Sequence, residues 1–428
     1  MSDEKITLDL AYGVSMVPLL LPAKNLSGVL VPPEVRTEAD VGQAVSRALR
    51  DPIGLPPLAE LIAQRKPGSV LVLLSDHTRI VPEYPILLKT LLNECLRGGL
   101  ARERIRLLVA AGAHRAPTCQ EQDAIYGREQ VDNFPIFSHD CDRDSISVGT
   151  LLSGHPLHLN RLLLTHDLII ATGKITPHYL AGYSGGRKAV LPGCASRETI
   201  ARNHAMVVRG RSGPGILAGN PIHEEMDEAA EKSQLGFILN VVPTPQQGVA
   251  GVFAGDFRKA FAAGAACCRR AWAAAFRRPA HCVVAAAGGH PADINFYQLQ
   301  RILNNVAPAV RPGGSIVLVG QCREGIGQEE FGRWMERYTT NEILSMTEDE
   351  ITSEAHRAYA SARVMAQCQV IVVSDMDPEL LGRMKFRGYR SLDEAMAYIR
   401  EKHGPDYECY VVPQGYATML VPEDEEKA

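Results

Sequence analysis

The chain has 428 residues, 46% hydrophobic and 22% charged, with a formal net charge of -4. That length supports two or three domains with well-filled cores, and the charge gives no electrostatic case for nucleic acid or an anionic membrane surface. No apolar run reaches the roughly 18 residues of a membrane span, and "MSDEKITLDL" lacks the basic and apolar regions of a signal peptide.

In chain order, "SVLVLLSD" (69–76) predicts a buried strand, "YPILLKTLLNECLRGG" (84–99) a helix with a glycine stop, and "RIRLLVAAGAH" (104–114) a second strand. "PTCQEQDAIYG" (117–127) reads as a helix opened by Thr118 with Glu121 three residues on, a capping-box pattern. "HDLIIATG" (166–173) is a third strand, and "SRETIARNHAMVVRG" (196–210) a helix with Ser196 as N-cap. After an Ala-rich helix near 259–276, strands resume at "HCVVAAAGG" (281–289), "SIVLVGQC" (315–322) and "QVIVVSD" (369–375). Continuous apolar strands alternating with helices predict an α/β fold of mostly parallel sheets covered by helices. Pro279 in "RRPAH" breaks the Ala-rich helix and sets the expected boundary. The expected lobes are an N-terminal cofactor-binding and catalytic domain, 1–278, and a C-terminal α/β domain, 279–428, with the active site in the cleft between them. The acidic tail "PEDEEKA" reads as a frayed end. The ten cysteines include no C-x-x-C, which fits reduced, buried thiols in a cytoplasmic protein.

Ligands of parallel α/β sheets gather at the carboxyl ends of strands. Four predicted strands deliver polar residues there: Asp76, His77 and Arg79; His114 and Arg115; Lys174 and His178; and Gly288, Gly289, His290, Asp293 and Gln298. In "GYSGGRK" (182–188), Gly182, Ser184, Gly185 and Gly186 suit a loop whose amides converge on a phosphate, or a tight structural turn. It is not a Walker loop, because Ala189 follows Lys188, and no G-x-G-x-x-G marks a dinucleotide domain. A lysine in such a loop is a phosphate contact or covalent anchor, or else a solvated charge. His114 and His178 are an acid/base pair or two hydrogen-bonded strand-end residues. Asp76 and Arg79 are a local ion pair, or Arg79 forks onto a substrate carboxylate while Asp76 orients a histidine. His204 lies on a predicted helix with no second ligand at metal spacing, so a metal there needs partners from elsewhere, a cofactor included.

Together, "SDHTR" (75–79), "GAHR" (112–115), "PHYLAGYSGGRKAVLPG" (177–193), "NH" (203–204), "GNPIHEEM" (219–226) and "GGHPADINFYQ" (288–298) resemble the nickel-pincer-nucleotide lactate racemase family. The resemblance implies a pyridinium-3,5-bisthiocarboxylic acid mononucleotide carrying nickel, attached covalently at Lys188, with His204 as the protein's nickel ligand. It implies His114 and His178 as the catalytic pair, with Asp76, Arg79 and Gln298 at the active site. Where the family has a lysine three residues after that glutamine, this chain has Arg301. Charge is kept but reach and geometry change, so the 2-hydroxy-acid class is implied rather than lactate in particular. The implied reaction moves hydride from substrate C2 to the cofactor and back to the other face, and the implied partners are the enzymes that make the cofactor. Two other classes fit parts of the pattern. A nicotinamide-dependent oxidoreductase would bind free NAD, and a non-catalytic carrier of a nucleotide or organic acid would keep its affinity without these histidines.

Overall fold

The computed structural model describes residues 4–351 and 355–426. The first three residues of "MSDEKITLDL" and the last two of the acidic tail therefore lie outside the described residues. The chain divides into two compact units, 34–271 and 1–33 with 272–428.

The first unit is built on a six-stranded sheet. Its strands are β1 (Val70–Leu74), β2 (Ile105–Val109), β3 (Ile136–Ser138), β4 (Leu168–Lys174), β5 (Leu235–Pro243) and β6 (Val249–Gly255). They lie in the order β6-β5-β4-β1-β2-β3, parallel except for β6, which runs antiparallel to β5. Every residue of β1 is buried, as a strand covered on both faces requires. Its helices include α1 (Tyr84–Arg97), α2 (Cys119–Tyr126), α3 (Arg197–Ala205), α4 (Pro221–Lys232) and α5 (Phe257–Trp272). The capping box of Thr118 and Glu121 opens α2, and the Ser196 side chain caps α3. Strand order reverses between β1 and β4: β2 and β3 extend one way from β1, β5 and β6 the other way from β4. Such a reversal opens a crevice at the carboxyl ends of the two central strands.

The second unit carries another six-stranded sheet, ordered 387–389, 369–373, 310–319, 280–286, 409–412 and 26–29, with every pairing parallel. Residues 1–33 belong here because Leu10, Leu19 and Leu21 of the N-terminal hairpin are buried among Val284, Val317 and Ile371 of this sheet. This corrects the expected contiguous domain 1–278. The Ala-rich helix also stops earlier than expected. Ala273–Phe276 leaves it to pair with Met419–Pro422, so the chain changes unit at Ala271–Trp272, ahead of Pro279. The acidic tail is not simply frayed, since Glu423–Glu426 forms a helical turn. All ten cysteines are free thiols, and nine are buried. Among the described residues no helix is long and apolar enough to cross a membrane.

Candidate active site

The loop leaving β1 places Asp76 at the strand-order reversal with no exposed surface. A buried carboxylate needs hydrogen-bond partners. Asp76 Oδ2 accepts from His114 Nδ1 at 2.6 Å, and Oδ1 accepts from Thr78 Oγ1 at 2.8 Å. Arg79 Nη1 stands 3.6 Å from Oδ2. Burial alone would raise the Asp76 carboxyl. The hydrogen bond from His114 and the charge of Arg79 more than offset this and hold it below its ordinary value. A carboxylate only accepts, so His114 carries its proton on Nδ1 and its lone pair on Nε2. The ring is 42% exposed, enough for a small molecule to reach it.

The Asp76 loop is itself pinned. Ser75 N donates to Tyr84 Oη at 2.7 Å, Tyr84 Oη lies 2.7 Å from Thr172 Oγ1, and Thr172 Oγ1 donates to the Leu73 carbonyl at 2.8 Å. Tyr126 Oη donates to the Ser75 carbonyl at 2.8 Å. Both backbone groups of Ser75 are thus spoken for, one residue before Asp76. Tyr84→Phe would orphan the Ser75 N–H, and urea unfolding is expected to show a loss of about 1–3 kcal/mol. Acid should act through Asp76. Its folded pKa is depressed, so its contribution is present above the unfolded carboxyl value and is lost as pH falls through the lower folded one. Melting curves of wild type and Asp76→Asn should therefore converge as the pH is lowered through that window.

His178 leaves the end of β4 in a two-residue pairing in which Pro177 faces Tyr183 and His178 faces Gly182. His178 Nδ1 accepts from the backbone N–H of Leu180 and of Ala181, each at 3.2 Å. Its Nε2 lies 3.3 Å from Lys188 Nζ, and Lys188 is 7% exposed. The two groups of site residues touch through the backbone, since Gly112 N, two residues before His114, donates to the Gly193 carbonyl at 2.9 Å.

In the glycine loop, expected to cradle a phosphate through Gly182, Ser184, Gly185 and Gly186, several polar groups are also tied into the fold. Ser184 Oγ serves Thr176 N at 2.8 Å and the Lys174 carbonyl at 2.9 Å, while Gly186 N donates to Asn240 Oδ1 at 2.9 Å. A Cβ on Gly182 would meet the Ile216 carbonyl oxygen at 2.3 Å, and one on Gly185 would meet Ile175 Cγ1 at 2.7 Å. The Ser184 hydroxyl and the Gly186 amide are thus used within the fold, and close packing at Gly182 and Gly185 requires glycine there. Arg187, missed in the sequence because it was quoted only as part of the loop, is the clamp. It is 1% exposed and stacks over Phe261 at 4.0 Å. It donates to His223 Nδ1 and to the Ala181 carbonyl, both at 2.8 Å, and lies 3.5 Å from Asp227. Burial lowers the guanidinium to about 9 despite Asp227. Burial and the Arg187 charge together push His223 down to about 3, so it accepts as a neutral ring.

His204 lies in the last turn of α3, and its Nδ1 donates to the Ile200 carbonyl at 2.9 Å. That bond selects the tautomer with its lone pair on Nε2, the form that ligates a metal. Its neighbour Asn203 is fully buried and donates to Glu225 Oε2 at 2.7 Å, and Glu225 Oε1 accepts from His155 Nδ1 at 2.8 Å. The "NH" and "GNPIHEEM" stretches thus meet to bind α3 to α4. Gln298 and Arg301 belong to the other unit, where Arg301 Nη1 donates to Gln298 Oε1 at 3.0 Å and the guanidinium stacks 5.0 Å from the Tyr416 ring centroid.

A two-unit α/β fold with polar residues collected at a strand-order reversal describes an enzyme, and its relatives make it an isomerase of the racemase class. The models for the lactate racemase N-terminal and C-terminal domains match residues 12–215 and 276–420. The lactate racemase of Thermoanaerobacterium thermosaccharolyticum is 34% identical, over 96% of this chain and 99% of its own. That of Lactiplantibacillus plantarum is 32% identical, over 97% of this chain and 100% of its own. The solved lactate racemase apoprotein from T. thermosaccharolyticum superposes with a TM-score of 0.88 at 33% identity, covering 97% of this chain and 100% of that one. A protein from Thermotoga maritima shares the fold, with a TM-score of 0.61 at 19% identity over 91% of this chain. The chain belongs to the lactate racemase family.

Proposed function

We propose that the protein racemises or epimerises a 2-hydroxy acid, using a nickel-pincer nucleotide joined to Lys188. The observation that carries this reading is the pairing of a carboxylate-oriented His114 with a buried Lys188 facing His178, at the reversal of strand order in one unit. The residues fit the group by their own chemistry. Lys188 offers a shielded amine for attachment, and His204 is held in the tautomer that offers Nε2 to nickel. When bound, the group would supply an electrophilic carbon that takes hydride from substrate C2 and returns it.

The protein's own part is proton handling and orientation. His114, with its lone pair on Nε2, would take the hydroxyl proton of one enantiomer as hydride leaves C2. His178 would serve the hydroxyl of the other enantiomer. Asp76 keeps His114 in its working tautomer and stabilises the imidazolium that forms. Arg79 would hold the substrate carboxylate, and Gln298 and Arg301 are assigned to substrate binding. Stacking on Tyr416 holds the Arg301 guanidinium as a flat, two-pronged donor where a lysine would be a point charge.

Co-expression with the cofactor-building enzymes tests the reading. The intact chain should gain the mass of the nucleotide adduct and about one nickel, and Lys188→Ala should gain neither. An unmodified, nickel-free chain, isolated from cells in which a known family member is loaded, would overturn it.

A further inference from the structure

Arg301 is held on two sides by groups of its own unit. Gln298 Oε1 accepts from Nη1 at 3.0 Å, and Cζ lies over the Tyr416 ring, 5.0 Å from its centroid. Gln298 is itself placed by Asn295, whose Oδ1 caps the Phe296–Leu299 turn and accepts from Gln298 N at 3.0 Å. Tyr416 is placed from the other side. It sits in the Gly415–Ala417 turn, and the Gly415 carbonyl accepts from Asn305 Nδ2 at 2.9 Å, one helical turn beyond Arg301. A Cβ on Gly415 would meet Ile302 Cγ2 at 2.6 Å and the Ala286 carbonyl oxygen at 3.1 Å. Glycine there lets the turn lie flush on the Ile302–Val306 helix and brings the Tyr416 ring to Arg301.

A guanidinium is a rigid plane carrying five N–H donors. Gln298 uses Nη1, and among the described residues it is the one hydrogen-bond acceptor that Arg301 has. The N–H groups of Nε and Nη2 lie parallel along another edge of the same plane. Two parallel donors match the two oxygens of a carboxylate. Such a fork is selective only while its plane is fixed, and a long side chain left alone samples many rotamers. Gln298 fixes one corner of the plane, and the face of Tyr416 fixes its tilt.

We infer that Tyr416 is a positioning residue for the substrate: it fixes the plane of Arg301 so that the Nε–Nη2 edge receives a carboxylate side-on through two hydrogen bonds. The inference deepens the assignment of Arg301 to substrate binding and rests on it. It also narrows the ligand to an ionised acid. The corresponding 2-hydroxy amide would set its NH2 group against one of the two donors and bind poorly.

The loaded enzyme, assayed with L- and D-lactate, gives the first test. Tyr416→Leu should raise KM for both enantiomers about three- to tenfold while kcat and nickel per chain stay as they are. Tyr416→Phe should keep the wild-type KM, because the ring face and not the hydroxyl does the holding. With Arg301→Ala already in place, adding Tyr416→Leu should shift KM by less than about twofold. An unmoved KM in Tyr416→Leu, or an equal rise with and without Arg301, would overturn the inference. Tyr416 is 39% exposed, so these variants are expected to fold. The apoprotein gives a second readout that needs no turnover. Nitrogen NMR of the Arg301 guanidinium, assigned by its loss in Arg301→Lys, should show separate Nη1 and Nη2 resonances in wild type and Tyr416→Phe, and one merged resonance in Tyr416→Leu. Merged resonances in the wild type would refute a fixed plane. A loaded chain that leaves lactate and other 2-hydroxy acids untouched would sink the functional reading and leave these spectra unchanged, so the two failures are distinguishable.

Discussion

His114→Ala is expected to lower turnover of the loaded enzyme by about 10²- to 10⁴-fold, the usual worth of a positioned acid/base. Stability should also fall, by about 1–3 kcal/mol, because the buried Asp76 loses its shortest hydrogen bond and keeps only Thr78 and Arg79. Asp76→Asn separates orientation from presence. An amide placed at 2.6 Å can donate to Nδ1, which drives the ring proton to Nε2 and removes the lone pair that works as base. Asp76→Asn should therefore approach His114→Ala in turnover while the cofactor still loads. Steady-state rates from both enantiomers, normalised to bound nickel, check this. If Asp76→Asn keeps wild-type turnover, His114 is not the base.

The strands, the capping box on α2 and the strand-end clustering were legible because they follow from local pattern: apolar runs, Thr118 with Glu121, polar residues just past Leu74, Val109 and Lys174. The His114–Asp76 bond joins residues 38 apart, and nothing local predicts it beyond their shared place at strand ends. The clamp on Ser75 was not legible at all. Tyr84 and Tyr126 read as ordinary helix residues, and only packing shows their hydroxyls meeting one peptide. The packing around the glycine loop was not legible, for a physical reason. Glycines that admit a phosphate and glycines that admit a neighbouring carbonyl look alike in sequence, and only the structure shows the carbonyl of Ile216 against Gly182. The N-terminal hairpin was assigned by chain order, whereas burial of Leu10, Leu19 and Leu21 decides where it belongs.

Arg187→Ala should be the most destabilising single change in the site region, costing about 3–5 kcal/mol, because it leaves the buried partners of a charge without it. Four groups lose their contact at once: the Ala181 carbonyl, His223, Asp227 and the face of Phe261. The Ala181 carbonyl matters beyond stability, since the amide of the same residue holds His178 Nδ1. Arg187→Lys should recover only part of the loss. An ammonium keeps the charge but cannot span His223 and a carbonyl while lying flat on a ring. Urea unfolding of the apoprotein gives the energies, and nickel per chain after co-expression gives the consequence for loading. Arg187→Lys is therefore expected to fold and yet load poorly, because Lys188 and His178 no longer share a fixed geometry. Full loading in Arg187→Lys would mean that the hairpin holds its shape without the clamp.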